Sequence, residues 1–389
     1  MPPPVPDPEP LVVYGPASHE YDFGPGHPFT PRRFGPGVDL LRELGATAFT
    51  APAPVPDEVL ATVHTPAFLA SVHRLADYPE LEAEEAVTDP DTPPFYGMDR
   101  AGATVVGGTL AAMEELLAGR RVHAFHPGGG LHHAFPGRAT GFCVYNDVAV
   151  AIRLARNAGH RVLYVDVDVH HGDGVEAIFW DDPHVQTLSF HESGLTLFPG
   201  SGWVEDRGGE GAEGSAVNVP LELGTSDASW LEAVETLVPL VAAAFRPTLL
   251  VTLNGADAHA LDPLSNLRLT TAAMHRANRL FDEVAHRYAE GRWLATGGGG
   301  YDVYRVVPRS WALVWLAQAH RDVPAETPPA WRERWAAEAA SFRQGPPPIA
   351  MLDPEGSAAP ETTATAAANR MTAERALEHT LRVLEGRGD

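Results

Sequence analysis

Residues 162–173 have the sequence Val-Leu-Tyr-Val-Asp-Val-Asp-Val-His-His-Gly-Asp, an apolar run that passes into a polar one. The run Val162–Val165 is apolar on both faces, which is typical of a buried strand in a parallel sheet. Side chains two positions apart share a face of a strand, so we expect Asp166, Asp168 and His170 to point the same way. Because burying two carboxylates and an imidazole is costly unless they bind a cation, the stretch predicts a metal site. The alternative to a metal site is a solvated loop of hydrogen-bonded acids, but the preceding run Val162–Val165 is apolar on both faces and argues against it.

Strand-like and helix-like segments alternate along the chain, which indicates an α/β fold with a central, mainly parallel sheet flanked by helices. The predicted strands are Leu11–Tyr14, Val122–Phe125, Val162–Val167, Thr248–Leu253 and Trp293–Ala295. The predicted helices are Thr104–Leu117, Asp147–Asn157, Ala228–Phe245 and Thr271–Ala289. After about Arg321 the chain becomes rich in Pro, Ala and Thr; there we predict a surface loop over Gln344–Ala364 and a terminal helix over Thr372–Leu384.

The composition is that of a folded, acidic protein. The 389 residues are 44% hydrophobic and 20% charged, with a formal net charge of −23. This charge argues against nucleic acid as a partner, and it suits a cationic peptide or amine as well as simple solubility. The single cysteine, Cys143, excludes an internal disulfide. Residues 1–10 lack the layout of a signal peptide, and no run reaches the roughly 18 apolar residues of a membrane span, so we expect a soluble cytoplasmic protein with no membrane partner.

Polar clusters follow four of the predicted strands, at the point where each strand ends. They are Gly128–His133, Asp166–Asp173, Asn254–Asp257 and Gly297–Tyr301. Because the carboxyl ends of parallel strands meet at one edge of a sheet, the four clusters can converge on one crevice. There Asp168, His170 and Asp257 would supply three ligands to zinc and leave a fourth position for water, as in catalytic sites. Alone, Asp257 is a weak signal, because an Asp after a strand is often a helix N-cap.

Two histidines and a tyrosine in these clusters are candidates for the chemistry beside the metal. His132 and His133 follow three glycines that allow close backbone approach, and Asp166 and Asp173 are candidate partners that would orient the two rings. Tyr301 follows four glycines, and the absence of a subsequent Lys-Ser/Thr excludes a P-loop. Its phenol could donate a hydrogen bond to a developing oxyanion.

Taken together and in order, these motifs resemble the histone deacetylase family, in particular its bacterial acetoin-utilisation members. The motifs are HPFTPRR, GGLHHA, GFCVYND, YVDVDVHHGDGVEAIF, FPGSG, NGADAHALDP and GGGGY. The resemblance covers about residues 11–320 and implies a single-domain, three-layer arginase/deacetylase fold there. Residues 1–10 are then a flexible N-terminus, and residues 321–389 a C-terminal extension packed on or trailing from the catalytic domain. The implied reaction is removal of acetyl or related acyl groups from lysine side chains of a protein or peptide, such as an acyl-CoA synthetase, with zinc or ferrous iron.

The resemblance also implies roles for individual positions. The metal ligands are matched by Asp168, His170 and Asp257. The catalytic residues are matched by His132, His133, Asp166, Asp173 and Tyr301. The walls of the acyl-lysine channel are matched by Gly141, Phe142 and Phe198, the rim acid that holds the substrate backbone by Asp91, and the arginine beside the acetate exit path by Arg33. A potassium or sodium ion is expected at an inner site formed mainly by backbone oxygens of Asp166, Asp168, His170, Ser189 and Phe190. A second ion is expected at an outer site of Phe179, Asp182 and Val185.

Leu253 departs from the family pattern, because many relatives have glutamine there, and this alters the surroundings of Asp257. One further position bears on the choice of substrate. Leu264 stands where polyamine enzymes of the family carry a glutamate that receives a second ammonium group, so it favours an acyl-lysine peptide over an acetylpolyamine. A dinuclear manganese ureohydrolase would need further bridging carboxylates. A non-catalytic acyl-lysine binding module would usually lack a ligand or the tyrosine, and here every such position is filled.

Overall fold

The computed structural model describes residues 9–386, so most of the expected flexible N-terminus, 1–10, lies outside the described residues. Within them, eight strands form one sheet in the order β2-β1-β3-β8-β7-β4-β5-β6, and every pairing is parallel. The strands are β1 Leu11–Val13, β2 Phe49–Thr50, β3 His123–His126, β4 Val162–Asp166, β5 Val185–Glu192, β6 Ala216–Leu221, β7 Leu249–Leu253 and β8 Trp293–Thr296. The prediction of an α/β fold with a parallel sheet is confirmed.

The helices surround this sheet on both faces. They are α1 Phe34–Glu43, α2 Asp57–Leu60, α3 Pro66–Asp77, α4 Glu82–Glu85, α5 Met98–Leu117, α6 Asp147–Asn157, α7 Asp173–Phe179, α8 Asp227–Phe245, α9 Thr271–Tyr288, α10 Val307–Gln318, α11 Pro329–Ser341 and α12 Thr363–Gly386. The predicted bounds of α6 are correct, whereas α5 begins six residues before the predicted start, at Met98. Strand β5 escaped prediction because it buries polar side chains, among them Gln186 and His191, that interrupt the apolar pattern.

Strand β4 shows how the sheet separates two apolar layers. Val162 and Tyr164 pack in the layer that contains α3, α5 and α6. Leu163 and Val165 pack in the opposite layer, with α1, α8, α9 and α10. Val167 and Val169 continue in that second layer after the strand has ended at Asp166. The alternation therefore persists beyond the strand, and the polar residues between these valines emerge together at the carboxyl edge of the sheet.

Helix α8 is, within the described part of the chain, the one helix long and apolar enough to cross a membrane by length and composition. Half of that window is buried inside the protein. Val234, Leu237 and Val241 are fully buried in the core against the sheet. Glu232 and Glu235 interrupt its apolar sequence. The apolar residues of α8 are thus accounted for by its position in the core.

The described part of the C-terminal extension packs on the rest of the domain. Trp331 in α11 is buried, and its Nε1 donates to the Pro36 carbonyl oxygen at 2.8 Å. The prediction that Gln344–Ala364 is a surface loop is wrong in part, because Met351 is fully buried and Asp353 accepts a hydrogen bond from buried Arg309 at 2.8 Å. Helix α12 begins nine residues before the predicted start, since its Ala/Thr-rich first turns lack a clear apolar face.

Candidate active site

The three predicted metal ligands meet at the carboxyl edge of the sheet. Asp168 and His170 lie in the loop after β4, and Asp257 lies in the loop after β7. His170 Nδ1 is 3.1 Å from Asp168 Oδ1 and 3.1 Å from Asp257 Oδ2. A tetrahedral zinc ion with bonds of about 2.0–2.1 Å spaces its ligand atoms by about 3.3 Å. The donor set and its spacing therefore fit a divalent metal ion with three protein ligands.

Backbone groups and glycines hold the two carboxylates in place. The amide nitrogen of Gly299 donates to Asp168 Oδ2 at 2.7 Å, and that of Val169 donates to Asp257 Oδ1 at 3.0 Å. A Cβ on Gly299 would lie 2.1 Å from Asp257 Oδ2, and one on Gly255 would lie 2.3 Å from Asp168 Oδ2. The glycines of both loops are thus required for the carboxylates to approach each other.

The tandem histidines lie side by side, each held by the carboxylate that was predicted to orient it. His132 Nδ1 is 2.8 Å from Asp166 Oδ2, and His133 Nδ1 is 2.7 Å from Asp173 Oδ1. Their ring centroids are 4.0 Å apart. Tyr164, which sequence reasoning missed, donates its hydroxyl to Asp166 Oδ2 at 2.6 Å. Both Nε2 atoms are therefore left to face the pocket, because each Nδ1 is already occupied.

The pKa values of His132, His133 and His170 are shifted from the ordinary value in different directions. Burial lowers the pKa of His132, but attraction from Asp166 outweighs it and raises the value to about 9. Burial and repulsion from His132 lower the pKa of His133 to about 4. Burial also opposes protonation of His170, yet hydrogen bonds to Asp168 and Asp257 raise its pKa to about 10. The pocket therefore has a strong negative potential at the ligand set, which favours a bound cation.

Tyr301 and Arg33 lie on the side of the site formed by the loop after β8. Burial, together with the nearby carboxylates of Asp257 and Asp168, raises the pKa of Tyr301 well above its usual value, so the phenol keeps its proton. The Arg33 guanidinium donates to the Gly298 carbonyl oxygen at 2.8 Å and stacks over the Phe29 ring at 4.2 Å. Burial lowers the pKa of Arg33 to about 10, which leaves it cationic at neutral pH. Arg33 also lines a cavity, together with Phe29 and His126.

The three residues predicted to line the channel lie beside His133 and Tyr301. The Phe198 ring centroid is 5.0 Å from that of His133, and the Phe142 ring centroid is 5.9 Å from that of Tyr301. Gly141 has a φ of 58°, in the left-handed region. A Cβ there would lie 2.6 Å from His133 and 2.9 Å from Phe198. A side chain at Gly141 would therefore collide with both His133 and Phe198.

The loop that carries Gly141 and Phe142 is fixed by residues that sequence reasoning missed. Asp89 Oδ2 accepts hydrogen bonds from the Thr140 hydroxyl and from the Gly141 nitrogen. Thr92 Oγ1 accepts from the Phe142 nitrogen at 2.9 Å, and the Tyr21 hydroxyl donates to the Phe142 carbonyl at 2.7 Å. The predicted rim acid Asp91 lies between Asp89 and Thr92, and it is exposed. No local motif marks these supports, because each lies far along the chain from the loop it holds.

The residues predicted for monovalent cations fall into two groups. Asp166 on β4 stands opposite Ser189 on β5, so the inner set is contiguous across these strands. In the outer set, the Asp182 carboxylate is 3.1 Å from Arg156 Nε. The carbonyl oxygens of Phe179 and Asp182 each accept a turn hydrogen bond, from the nitrogens of Asp182 and Val185. A cation at the outer site would thus depend on carbonyl oxygens, since the carboxylate is paired.

Leu253 is the last residue of β7, and Leu264 lies in the segment between β7 and α9. Leu253 is fully buried, and its methyl groups pack against the glycine loops: a Cβ on Gly298 would lie 2.3 Å from Leu253 Cδ2. Leu264 is half-buried and packs against the cluster that contains Tyr301. Its backbone nitrogen donates to Asp262 Oδ1 at 3.0 Å, and Asp262 Oδ2 accepts from the Tyr301 nitrogen at 2.8 Å. Asp262 therefore links the backbone at Leu264 to the backbone at Tyr301.

Comparison with known proteins agrees with this geometry. The family model of the histone deacetylase domain matches residues 27–318. The acetoin utilization protein AcuC of Bacillus subtilis (strain 168) is 44% identical over 333 residues, 84% of this chain and 86% of the relative. AcuC of Staphylococcus aureus (strain MSSA476) is 37% identical over 332 residues, 83% of this chain and 85% of the relative.

Solved structures extend the match to the fold. An HDAC homolog complexed with SAHA superposes with a TM-score of 0.82 at 27% identity, covering 95% of this chain and 100% of that chain. An HDAC homolog from Aquifex aeolicus superposes with a TM-score of 0.81, also at 27% identity, with the same coverage. These matches confirm the arginase/deacetylase fold that the motifs predicted. The chain therefore belongs to the histone deacetylase family of hydrolases.

Proposed function

We propose that this protein hydrolyses the amide of N-ε-acetyl-lysine, or a related acyl-lysine, in proteins or peptides, and releases acetate and free lysine. The observation that carries the proposal is the convergence of His170 Nδ1 with one oxygen each of Asp168 and Asp257, at 3.1 Å. Zinc or ferrous iron suits this imidazole and carboxylate set. A divalent ion held there would polarise the scissile carbonyl and lower the pKa of a water molecule to about 7.

The residues around the ligands have the arrangement that general acid–base catalysis requires. His133 is oriented by Asp173 and lies against Phe198, so it is placed to take a proton from water and to return it to the leaving amine. His132, paired with Asp166, supplies positive potential beside it. Tyr301 keeps its proton and is placed to donate a hydrogen bond to the developing oxyanion, a contribution typically worth about 10²–10³ in rate.

The channel favours a lysine side chain carried by a peptide. Its aromatic walls suit the apolar stem of an acylated lysine, and the exposed Asp91 at the rim is available to the substrate backbone. The formal charge of −23 would attract a cationic peptide and repel nucleic acid. Arg33, which lines a cavity together with Phe29 and His126, would hold the acetate anion as it leaves. Potassium or sodium ions at the inner and outer sites would stabilise the loop after β4. We also propose that the protein is cytoplasmic. Its substrate would be an acylated enzyme, such as an acyl-CoA synthetase.

Acetylpolyamine deacetylation is the second candidate, because the same site chemistry would serve it. Leu264 disfavours it, because an apolar side chain at this position offers no partner to a second ammonium group. A binding module without catalysis would have no need of two carboxylate-oriented histidines. The manganese ureohydrolase would require a second ion bridged by further carboxylates, and the ligand group at this edge of the sheet comprises three residues among those described.

The test is an assay of acyl-lysine peptides of increasing chain length, beside acetylspermidine, on protein whose metal content has been measured. We expect release of acetate from the acetyl-lysine peptide, inhibition by SAHA, and a far lower rate on acetylspermidine. Preference for acetylspermidine would replace the proposed substrate with a polyamine. Absence of turnover on every substrate by metal-loaded protein would contradict the proposal.

A further inference from the structure

A second group of potential metal ligands lies outside the site described above. It consists of three histidines and one aspartate, here called the His/Asp cluster: His123, Asp282, His286 and His320. His123 is the first residue of β3, so the cluster lies at the amino edge of the sheet, opposite the catalytic loops. Asp282 and His286 are one turn apart on α9, and His320 follows the end of α10. Three separate elements therefore bring imidazole and carboxylate groups to one point.

The spacing within the His/Asp cluster matches a coordination shell. Asp282 Oδ1 is 3.4 Å from Nε2 of His123, 3.4 Å from Nε2 of His286 and 3.1 Å from Nε2 of His320. The ligand atoms all lie within 4.8 Å of one another. A tetrahedral zinc ion with bonds of about 2.0–2.1 Å spaces its ligand atoms by about 3.3 Å. The three distances from Asp282 Oδ1 thus match the spacing of zinc ligands, and all four ligand atoms lie close enough together to surround one ion.

The buried histidine gives an independent indication that a ligand belongs there. His123 is fully buried, and its Nδ1 is 2.7 Å from the Gln318 carbonyl oxygen, so Nδ1 carries the proton and donates it. The opposite atom, Nε2, is aimed into the cluster and makes no hydrogen bond with a described residue. Metal-bound histidines characteristically donate the other ring N–H to a backbone carbonyl, as His123 does. Burial also lowers the pKa of His123 to about 4, which keeps the ring neutral.

The way in which α10 ends places His320 beside the other ligands. His320 has a φ of 52°, and the Arg321 nitrogen donates to the Leu316 carbonyl oxygen at 2.9 Å, as is common where a helix ends in a left-handed residue. This conformation turns the chain so that the ring reaches Asp282. Gly291 packs against His286, because a Cβ there would lie 3.1 Å from the His286 ring. The side chains of His286 and His320 are 37% and 44% exposed, which leaves a path for an ion to enter.

We propose that the His/Asp cluster binds a divalent first-row transition metal ion, with zinc the favoured species, at a site separate from the catalytic one. Three imidazoles and one carboxylate suit zinc better than calcium or magnesium, which prefer oxygen ligands. Four protein ligands close the coordination shell, as in structural rather than catalytic zinc sites. A bound ion would tie the start of β3 to the ends of α9 and α10, and so would brace the face of the domain opposite the active site.

Metal stoichiometry tests the proposal. Protein stripped with a chelator, loaded with zinc and freed of excess metal is expected to retain two zinc ions per chain. The double variant His286→Ala/His320→Ala is expected to retain one ion and to keep its deacetylase activity. His275→Ala is the matched control, because it removes a histidine from the same helix outside the cluster, and it is expected to retain two. His320→Gln alone, a smaller perturbation at a partly exposed position, is expected to weaken one of the two sites.

Loss of the catalytic site distinguishes this proposal from the proposed function. Asp257→Ala is expected to lose one ion and to keep the other, and cobalt bound to that variant is expected to show the intense visible absorption of tetrahedral coordination. A single zinc per chain in the unmodified protein, with none in Asp257→Ala, would overturn the proposal. Two zinc ions in the folded double variant would overturn it equally. Each result is independent of whether any acyl-lysine is hydrolysed.

Discussion

Replacing Gly299 with alanine should disable the catalytic metal site while leaving the fold intact. The Gly299 nitrogen donates to Asp168 Oδ2 at 2.7 Å, and an added Cβ would lie 2.1 Å from Asp257 Oδ2 and 2.9 Å from Asp168 Oδ2. Real Cβ atoms essentially never approach within 3.0 Å of such an atom, so the Asp257 carboxylate would have to move by about 0.9 Å. Coordination by zinc tolerates displacements of about 0.2 Å. Asp257 would therefore cease to be a proper ligand.

The expected loss of zinc affinity exceeds the roughly 10–100-fold that follows removal of an outer hydrogen-bond partner, because a ligand itself is displaced. Competition with a chromophoric chelator measures that affinity, and urea unfolding of the metal-free protein measures stability separately. Gly137→Ala is the matched control, since its Cβ would meet nothing closer than Thr65 Oγ1 at 4.0 Å. The reasoning would be refuted if Gly299→Ala and Gly137→Ala bound zinc at the Asp168/His170/Asp257 site with equal affinity.

Three further predictions concern a catalytic, a structural and a titrating residue. Tyr301→Phe should lower kcat by about 10²–10³ with unchanged zinc stoichiometry, and near-normal turnover would remove its proposed role. Asp353→Ala should lower the free energy of unfolding by about 3–5 kcal/mol in urea titrations, since buried Arg309 loses its carboxylate; a change below 1 kcal/mol would contradict this. Burial lowers the pKa of His64 to about 4, so its contribution to stability is complete above pH 6.5 and is lost as the pH falls toward 4. When the pH falls from 7.5 to 4, the free energy of unfolding of His64→Gln should therefore decrease by about 3 kcal/mol less than that of the unmodified protein. Equal decreases in the two proteins would show that His64 is not the group responsible.

The central strands were predictable because they are apolar on both faces. The run Val162–Val165 packs against helices on both faces of the sheet, so every residue in it is apolar and the burial of β4 can be predicted from the sequence. Strand β5 differs, because it buries polar side chains whose hydrogen-bond partners lie outside the strand. Gln186 Nε2 donates to the Gly214 carbonyl at 2.8 Å, and His191 Nε2 lies 3.0 Å from the Gly202 carbonyl. Such partners exist only once the chain has folded, so the sequence pattern of β5 did not reveal a buried strand.

The residues of the candidate site also fall into those that could be predicted from the sequence and those that could not. Each predicted ligand and each of the tandem histidines lies in a loop that follows a strand, and parallel topology carries the strand ends to one edge of the sheet. The supports of the channel loop, such as Asp89 and Tyr21, lie in irregular segments and act across a long sequence separation. Gln344 is a further example, since its side chain donates to the Tyr301 carbonyl oxygen from a segment predicted to be a surface loop.

By itself, the sequence determined the fold class and the chemistry of one edge of the sheet, because local apolar runs and the residues that end them suffice for both. Tertiary structure alone decided which side chains stand within 3–4 Å of one another, as Asp168 and Asp257 do through His170. It also assembled the His/Asp cluster, whose members are spread from residue 123 to residue 320 and share no motif. The physical reason is that coordination and hydrogen bonding act over a few ångströms of space, whereas a sequence pattern reports only on neighbours along the chain.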